Sequence, residues 1–183
     1  MFESYKQYNN WRYTKIISLI KKTNSKLLDV GCGDGFLEHM LGQHKFNITG
    51  LDISEDCIKQ ANKNFPNSNY FVYDACKTFP FKDNTFDIII SNGLIEHVKK
   101  PSNVIKECLR VCKRVCIIGT PNAWHFDLYF NTQKQSLSKS VLQYYSPNVL
   151  RGLIRKFNGK INYINLSALI PPFKYIIIRC IPS

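Results

Sequence analysis

The feature that most constrains this chain is an apolar run that ends on an acid and breaks at once into alternating glycines. Lys26-Leu27-Leu28-Asp29-Val30-Gly31-Cys32-Gly33-Asp34-Gly35 reads as a strand followed by a tight turn. Phe36-Leu37 with Met40-Leu41 then begin a helical period. Glycine lets a backbone turn sharply and approach a ligand where a Cβ would collide. Strand, glycine loop and helix in this order build the crevice in which open α/β sheets hold nucleotide-type ligands.

The alternation continues along the chain. Tyr5, Tyr8, Trp11, Ile16, Leu19 and Ile20 give residues 5–22 an amphipathic helical period. Residues 35–43 are predicted helix, and 47–51 a second strand ending at Asp52. Ser54 is the predicted N-cap of a helix over 55–64, with Glu55 and Asp56 in its first turn. A third strand over 70–73 ends at Asp74, and a fourth begins at Phe86-Asp87-Ile88-Ile89-Ile90. The fourth has the apolar run of a strand buried on both faces. A helix over 102–111 leads to a fifth strand over 115–118, after which residues 121–145 are polar and aromatic without a period. Residues 147–157 return to helix, with Ser146 as N-cap and Pro147 at the first position. Residues 161–166 and 175–181 close the chain as two strands joined through Pro171-Pro172. The pattern predicts one α/β domain over residues 1–183, with a doubly wound sheet of about seven strands and helices on both faces. The sheet should be mostly parallel, with an antiparallel edge strand where no helix separates the last two strands.

Charge is distributed unevenly. Residues 1–98 hold 11 basic and 11 acidic side chains, whereas residues 99–183 hold 14 basic ones against Glu107 and Asp127. The whole net charge of +12 therefore sits in the second half. Such a half suits an anionic partner (nucleic acid, a phosphorylated metabolite or an acidic membrane face) and equally a plain solvated surface. No apolar stretch approaches the ~20 residues of a membrane span. The first ten residues lack a signal-peptide layout, and the seven cysteines lack framework spacing, so a reducing, cytoplasmic setting is expected.

Three predicted strands end in an acid: Asp29, Asp52 and Asp74. Asp52 lies 19 residues past Gly33, the spacing at which a carboxylate reaches ribose hydroxyls. Carboxylates around the crevice would repel a pyrophosphate and suit a cationic nucleoside. The loop is also Gly-x-Gly-x-Gly rather than the dinucleotide Gly-x-Gly-x-x-Gly, which makes a nicotinamide enzyme the weaker reading.

These residues resemble the class I S-adenosylmethionine-dependent methyltransferases, in particular the small-molecule enzymes near the ubiquinone-biosynthesis O-methyltransferases. The likeness runs motif by motif over about residues 26–119. It rests on Leu28 to Gly35, Leu51-Asp52-Ile53-Ser54, Tyr73-Asp74-Ala75, Phe86 to Asn92 with Glu96-His97-Val98, and Gly119-Thr120-Pro121-Asn122. It implies a Rossmann-like fold with S-adenosylmethionine as cofactor. Asp29, Gly31, Cys32 and Gly33 would hold the methionine portion and Asp52 the ribose hydroxyls. Asp74 would accept from the adenine amino group, with Ile53 and Ala75 against the ring and Asn92 and Leu94 on the cofactor's other side. Residues 1–25 would cover the cofactor, and residues 120–146 would form a substrate-side insert.

The reaction implied is in-line attack on the sulfonium methyl by a small-molecule acceptor, anionic or lipid-linked. His125 is the candidate base, and a partly exposed loop histidine is the equal alternative. Trp124, Phe126, Tyr129, Phe130, Tyr144 and Tyr145 would wall an apolar pocket or simply pack the insert. Two further readings stay open: an RNA methyltransferase using the basic half, and a non-catalytic binding subunit that keeps the fold. Some relatives bind a divalent metal through Glu-x-x-Glu-His. Here the first glutamate position is Gly93, so no metal is assigned, and Glu96-His97 is expected to serve structurally at a helix start. Cys108, Cys112 and Cys116 run from predicted helix into predicted strand and should not share one face, which makes them buried small hydrophobes.

Overall fold

The computed structural model of this chain describes residues 12–20, 24–42, 46–121, 142–166 and 175–182. The strands are β1 (Lys26–Val30), β2 (Asn47–Asp52), β3 (Asn69–Val72), β4 (Phe86–Asn92), β5 (Cys112–Pro121), β6 (Gly159–Leu166) and β7 (Tyr175–Pro182). The helices between them are α1 (Phe36–Leu41), α2 (Glu55–Asn64), α3 (Pro101–Val111) and α4 (Pro147–Lys156). Residues 12–18 are also helical, and the rest of the predicted 5–22 helix lies outside the described residues apart from 19 and 20. Among the described residues no helix is long and apolar enough to cross a membrane.

One sheet forms in the order β3-β2-β1-β4-β5-β7-β6. The first five strands pair in parallel. β7 runs antiparallel to both β5 and β6, so the antiparallel strand lies one place inside the edge and β6 is the edge itself. Alternation along the central strands feeds two cores. Leu27, Ile88, Ile90 and Ile117 pack with Ile16, α1 and α2 on one face. Leu28, Ile89, Cys116 and Ile118 pack with α3 and α4 on the other. A strand sandwiched this way has no polar face, hence the unbroken isoleucines of β4.

Local signals hold where they are chemical. Ser54 accepts from the Cys57 N–H and Ser146 from the Val149 N–H, each capping its helix as expected. Element ends differ more. α1 stops at Leu41, with Gly42 at φ 58 as its cap, and β5 starts at Cys112 with no loop after α3. That direct junction overturns the expectation that Cys108, Cys112 and Cys116 do not share a face. Cys108, Cys112 and Cys116 all enter the α3/α4 core, joined by Cys180, which lies opposite Cys116 across β5 and β7. The chain reverses between α3 and β5, so helix and strand turn their thiols toward the same interior. They remain buried and free, as small hydrophobes.

Candidate functional site

The glycine loop begins where β1 ends, and its geometry needs glycine. Gly31, Gly33 and Gly35 have φ of 81, 54 and 86, a region that L side chains avoid. The N–H groups of Gly31 and Cys32 both donate to the Leu51 carbonyl, at 2.7 and 3.1 Å, which fastens the loop to the end of β2. A Cβ on Gly31 would lie 3.1 Å from Leu94, whereas one on Gly33 would meet nothing within 4 Å. The loop is thus packed on one side and open on the other.

Asp52 locks this corner. Its Oδ2 accepts from the Gly33 N–H and its Oδ1 from the Ser54 N–H, both at 2.9 Å. Each oxygen keeps a further lone pair, so the clamped carboxylate can still accept from a ligand. Ile53 follows it at 71% exposed, a large apolar side chain standing at a strand end. The Tyr73 N–H donates to the Asp52 carbonyl at 2.8 Å, which brings the next strand end alongside. There Asp74 Oδ1 accepts from the Cys76 N–H at 2.9 Å, closing a turn around the buried Ala75.

Asp29 is only 4% exposed. Burial, and after it the charge of Asp52, push its carboxyl up to about 7. The same two effects, burial first and then the carboxylates of Asp29 and Asp52, push up the Cys32 thiol. Burial and the neighbouring carboxylate both disfavour the charged form of Asp29, and a cationic ligand beside it would favour that form.

Beyond the loop, the ends of β4, β5 and β7 carry a second polar group that sequence reasoning largely missed. The Tyr175 hydroxyl donates to Asn92 Oδ1 at 2.8 Å, and the Arg12 guanidinium lies 4.7 Å from the centre of the Tyr175 ring. Gly119 carries no Cβ because the Asn92 side chain occupies that space. Glu96, 2% exposed, accepts at Oε2 from the Thr120 hydroxyl at 3.0 Å, with His97 Nε2 3.9 Å from Oε1. Burial holds its carboxyl above the usual range, against the pull of Thr120, His97 and Arg12. Gly93 turns here at φ 74, a left-handed conformation that favours glycine, and a Cβ would meet Tyr175, Glu96 and Arg12 only at ordinary contact distance.

Glu96 does not begin a helix as expected. Residues 95–97 form a turn, and α3 starts at Pro101. The Glu96 carbonyl instead accepts the N–H groups of Leu142 and Gln143, pinning the segment that leads to α4. A sequence signal for Tyr175 did exist. In a final antiparallel strand the first residue, not the last, lies at the edge where the parallel strands end, and Tyr175 pairs with Pro121 there.

The predicted cofactor residues fall into two neighbouring groups: Asp29, Gly31, Cys32, Gly33, Asp52, Ile53, Asp74 and Ala75 at the ends of β1 to β3, and Asn92 and Leu94 at the end of β4. Leu94 joins them, packing over Gly31. His125, with Trp124, Phe126, Tyr129 and Phe130, lies outside the described residues. Tyr144 is half-buried and Tyr145 buried, its hydroxyl donating to the Ile95 carbonyl at 3.4 Å. A separate groove of about 560 Å³ opens between α1 and the end of α2, lined by Asp34, Phe36, His39, Asn64 and Phe65 among others. None of the three strand-end acids lines it.

Residues 28–118 match a family model described as a methyltransferase domain. The ubiquinone biosynthesis O-methyltransferase of Hydrogenovibrio crunogenus is 26% identical over 137 residues, covering 73% of this chain and 53% of that protein. The mitochondrial enzyme of the same description from Saccharomyces cerevisiae is 34% identical over 96 residues, covering 50% of this chain and 31% of that one. This chain thus spans about half or less of the length of these relatives. Magnesium protoporphyrin IX methyltransferase from Synechocystis PCC 6803, solved with bound SAH, superposes with a TM-score of 0.78 at 15% identity. That match covers 98% of this chain and 84% of the other, and shows a shared fold.

Proposed function

This chain belongs to the class I S-adenosylmethionine-dependent methyltransferases, and from that premise we propose that it methylates a small-molecule acceptor. The observation that carries the reading is Asp52, clamped by Gly33 and Ser54 at a strand end beside the exposed Ile53. A nucleoside needs this pairing: a fixed carboxylate for vicinal hydroxyls and an apolar surface for a base. The open side of Gly33 and the buried Asp29 carboxyl suit the amino-acid portion of the same molecule.

S-adenosylmethionine, when bound, would supply an activated sulfonium whose methyl passes to the acceptor by in-line attack, with the neutral thioether of S-adenosylhomocysteine as leaving group. The protein's part is to bind, orient and exclude water, which accounts for much of the rate when the leaving group is already activated. Gly31 to Gly33 and Asp29 would hold the methionine portion, Asp52 the ribose, and Asp74 with Ile53 and Ala75 the adenine. Asn92 and Leu94 would close the side toward β4. His125 is our candidate for taking the acceptor's proton where one must be lost. We assign the acceptor to small molecules of anionic or lipid-linked character, supported by the relatives named above and by the basic second half.

Calorimetric titration with S-adenosylmethionine and S-adenosylhomocysteine tests this. Asp52→Ala removes two charge-assisted hydrogen bonds of about 1.5 kcal/mol each, so affinity should fall about 100-fold. Absence of binding by folded wild type, or unchanged binding by the variant, overturns the proposal.

A further inference from the structure

The two helical faces of the sheet carry different charge. On the α1/α2 face, exposed Asp34, Glu55 and Asp56 mix with exposed Lys59 and Lys63. On the other, Glu107 is the only carboxylate among residues 97–121 and 142–166. It is spent, because Arg110 holds it at 2.6 Å while also holding Asp83 at 2.7 Å. Lys99, Lys100, Lys106, Arg151, Arg155 and Lys156 are exposed around α3 and α4 with no unpaired acid of those segments to offset them. The helices bury their apolar sides in one core, so these cations share an outward surface. The Gln143 amide donates to the Val98 carbonyl at 3.2 Å, which sets Lys99 and Lys100 beside the approach to α4.

Apolar side chains interrupt the cations there. Leu142 is 54% exposed and Val149 is 53% exposed, both near the start of α4. Their type decides between anionic partners. Single-stranded RNA is held by rings that stack on bases, whereas Tyr144 and Phe157, described rings in the α4 segment, are half-buried, with the Lys156 ammonium 5.9 Å from the centre of Phe157. Exposed aliphatic groups among lysines and arginines suit an acyl boundary beneath anionic headgroups. We propose that the α3/α4 face docks on an anionic lipid surface.

Vesicles of phosphatidylcholine alone, and of phosphatidylcholine with one-third phosphatidylglycerol, test this by co-sedimentation of the full chain. Binding should need phosphatidylglycerol and weaken as salt rises. Arg151→Glu with Arg155→Glu should lower affinity at least about 25-fold, at roughly fivefold per cation. Lys59→Glu with Lys63→Glu makes the same change of net charge on the opposite face and should leave binding within about twofold. Should the α4 pair fail to fold by circular dichroism, Lys99→Glu with Lys100→Glu must show the loss instead. Binding to neither vesicle at low salt, equal loss from the Lys59/Lys63 pair, or tighter binding to single-stranded RNA at matched phosphate would each overturn the proposal. None of these readouts depends on cofactor binding, so failure here leaves the methyltransferase reading standing, and the reverse.

Discussion

At the ends of β1 and β2 the polar groups surround an open loop, whereas at the ends of β4, β5 and β7 they face one another inside the protein. The first region is backbone and carboxylate: Gly31, Gly33 and Ser54 N–H groups, Asp29 and Asp52. The second is a set of buried side-chain pairs, Tyr175 with Asn92 and Thr120 with Glu96, with the half-buried Arg12 against the Tyr175 ring. A loop with spare lone pairs on Asp52 and a buried carboxyl at Asp29 is prepared for a ligand. Buried pairs whose members satisfy each other are prepared to hold shape. Changes at the first region should therefore register in cofactor affinity and changes at Glu96, Thr120 and Tyr175 in stability, while Asn92, which we place beside the cofactor, belongs to both.

The largest test of that division after Asp52→Ala is Glu96→Ala. It strands the Thr120 hydroxyl and removes the carboxylate near Arg12, and should cost about 2–3 kcal/mol in urea unfolding. Cofactor affinity should stay within about threefold. A large affinity loss with unchanged stability would erase the distinction between the regions.

A smaller effect comes from pH. Asp29 titrates near 7 in the folded protein, and a cationic ligand favours its ionised form. Affinity for S-adenosylmethionine should therefore rise about tenfold between pH 6 and 8 and then level off. Asp29→Asn should flatten the profile. Stability runs the other way. The unfolded acid ionises near 3.8 and the folded one near 7, so wild type should lose stability relative to Asp29→Asn as pH rises across that window. A flat affinity profile in wild type would mean that Asp29 does not face the ligand's charge.

The smallest is Tyr175→Phe, which deletes one buried hydrogen bond to Asn92 and should lower stability by about 1 kcal/mol. Unchanged cofactor affinity keeps the two regions separate. A fall in affinity would show that the orientation of Asn92, set by Tyr175, reaches the ligand.

The legibility of the two regions differs for the same reason that their roles do. Gly31 to Gly35 and Asp52 were readable because a turn with positive φ leaves a local mark in residue type, and because strand-end acids recur at fixed distance from it. Ser54 and Ser146 were readable as caps on the same grounds. Glu96 was misread as a helix start, since its partners Thr120 and Arg12 come from other elements. The cysteines were read correctly as buried small hydrophobes, but their shared face was missed because α3 and β5 join without a loop, a fact of chain reversal that periodicity does not carry.

The sequence by itself determined the alternation of strands and helices, the glycine loop, the acids at three strand ends and the excess of cations in the second half, all of which are local patterns or counts. Only the tertiary structure decided that β7 slips antiparallel between β5 and β6, which carries Tyr175 to Asn92 across 83 positions. It also decided that α3 and α4 share one face and so concentrate their cations. The physical reason is the same in both cases. Buried polar pairs and surface patches form between residues that the folded sheet brings together, and their energies do not depend on distance along the chain.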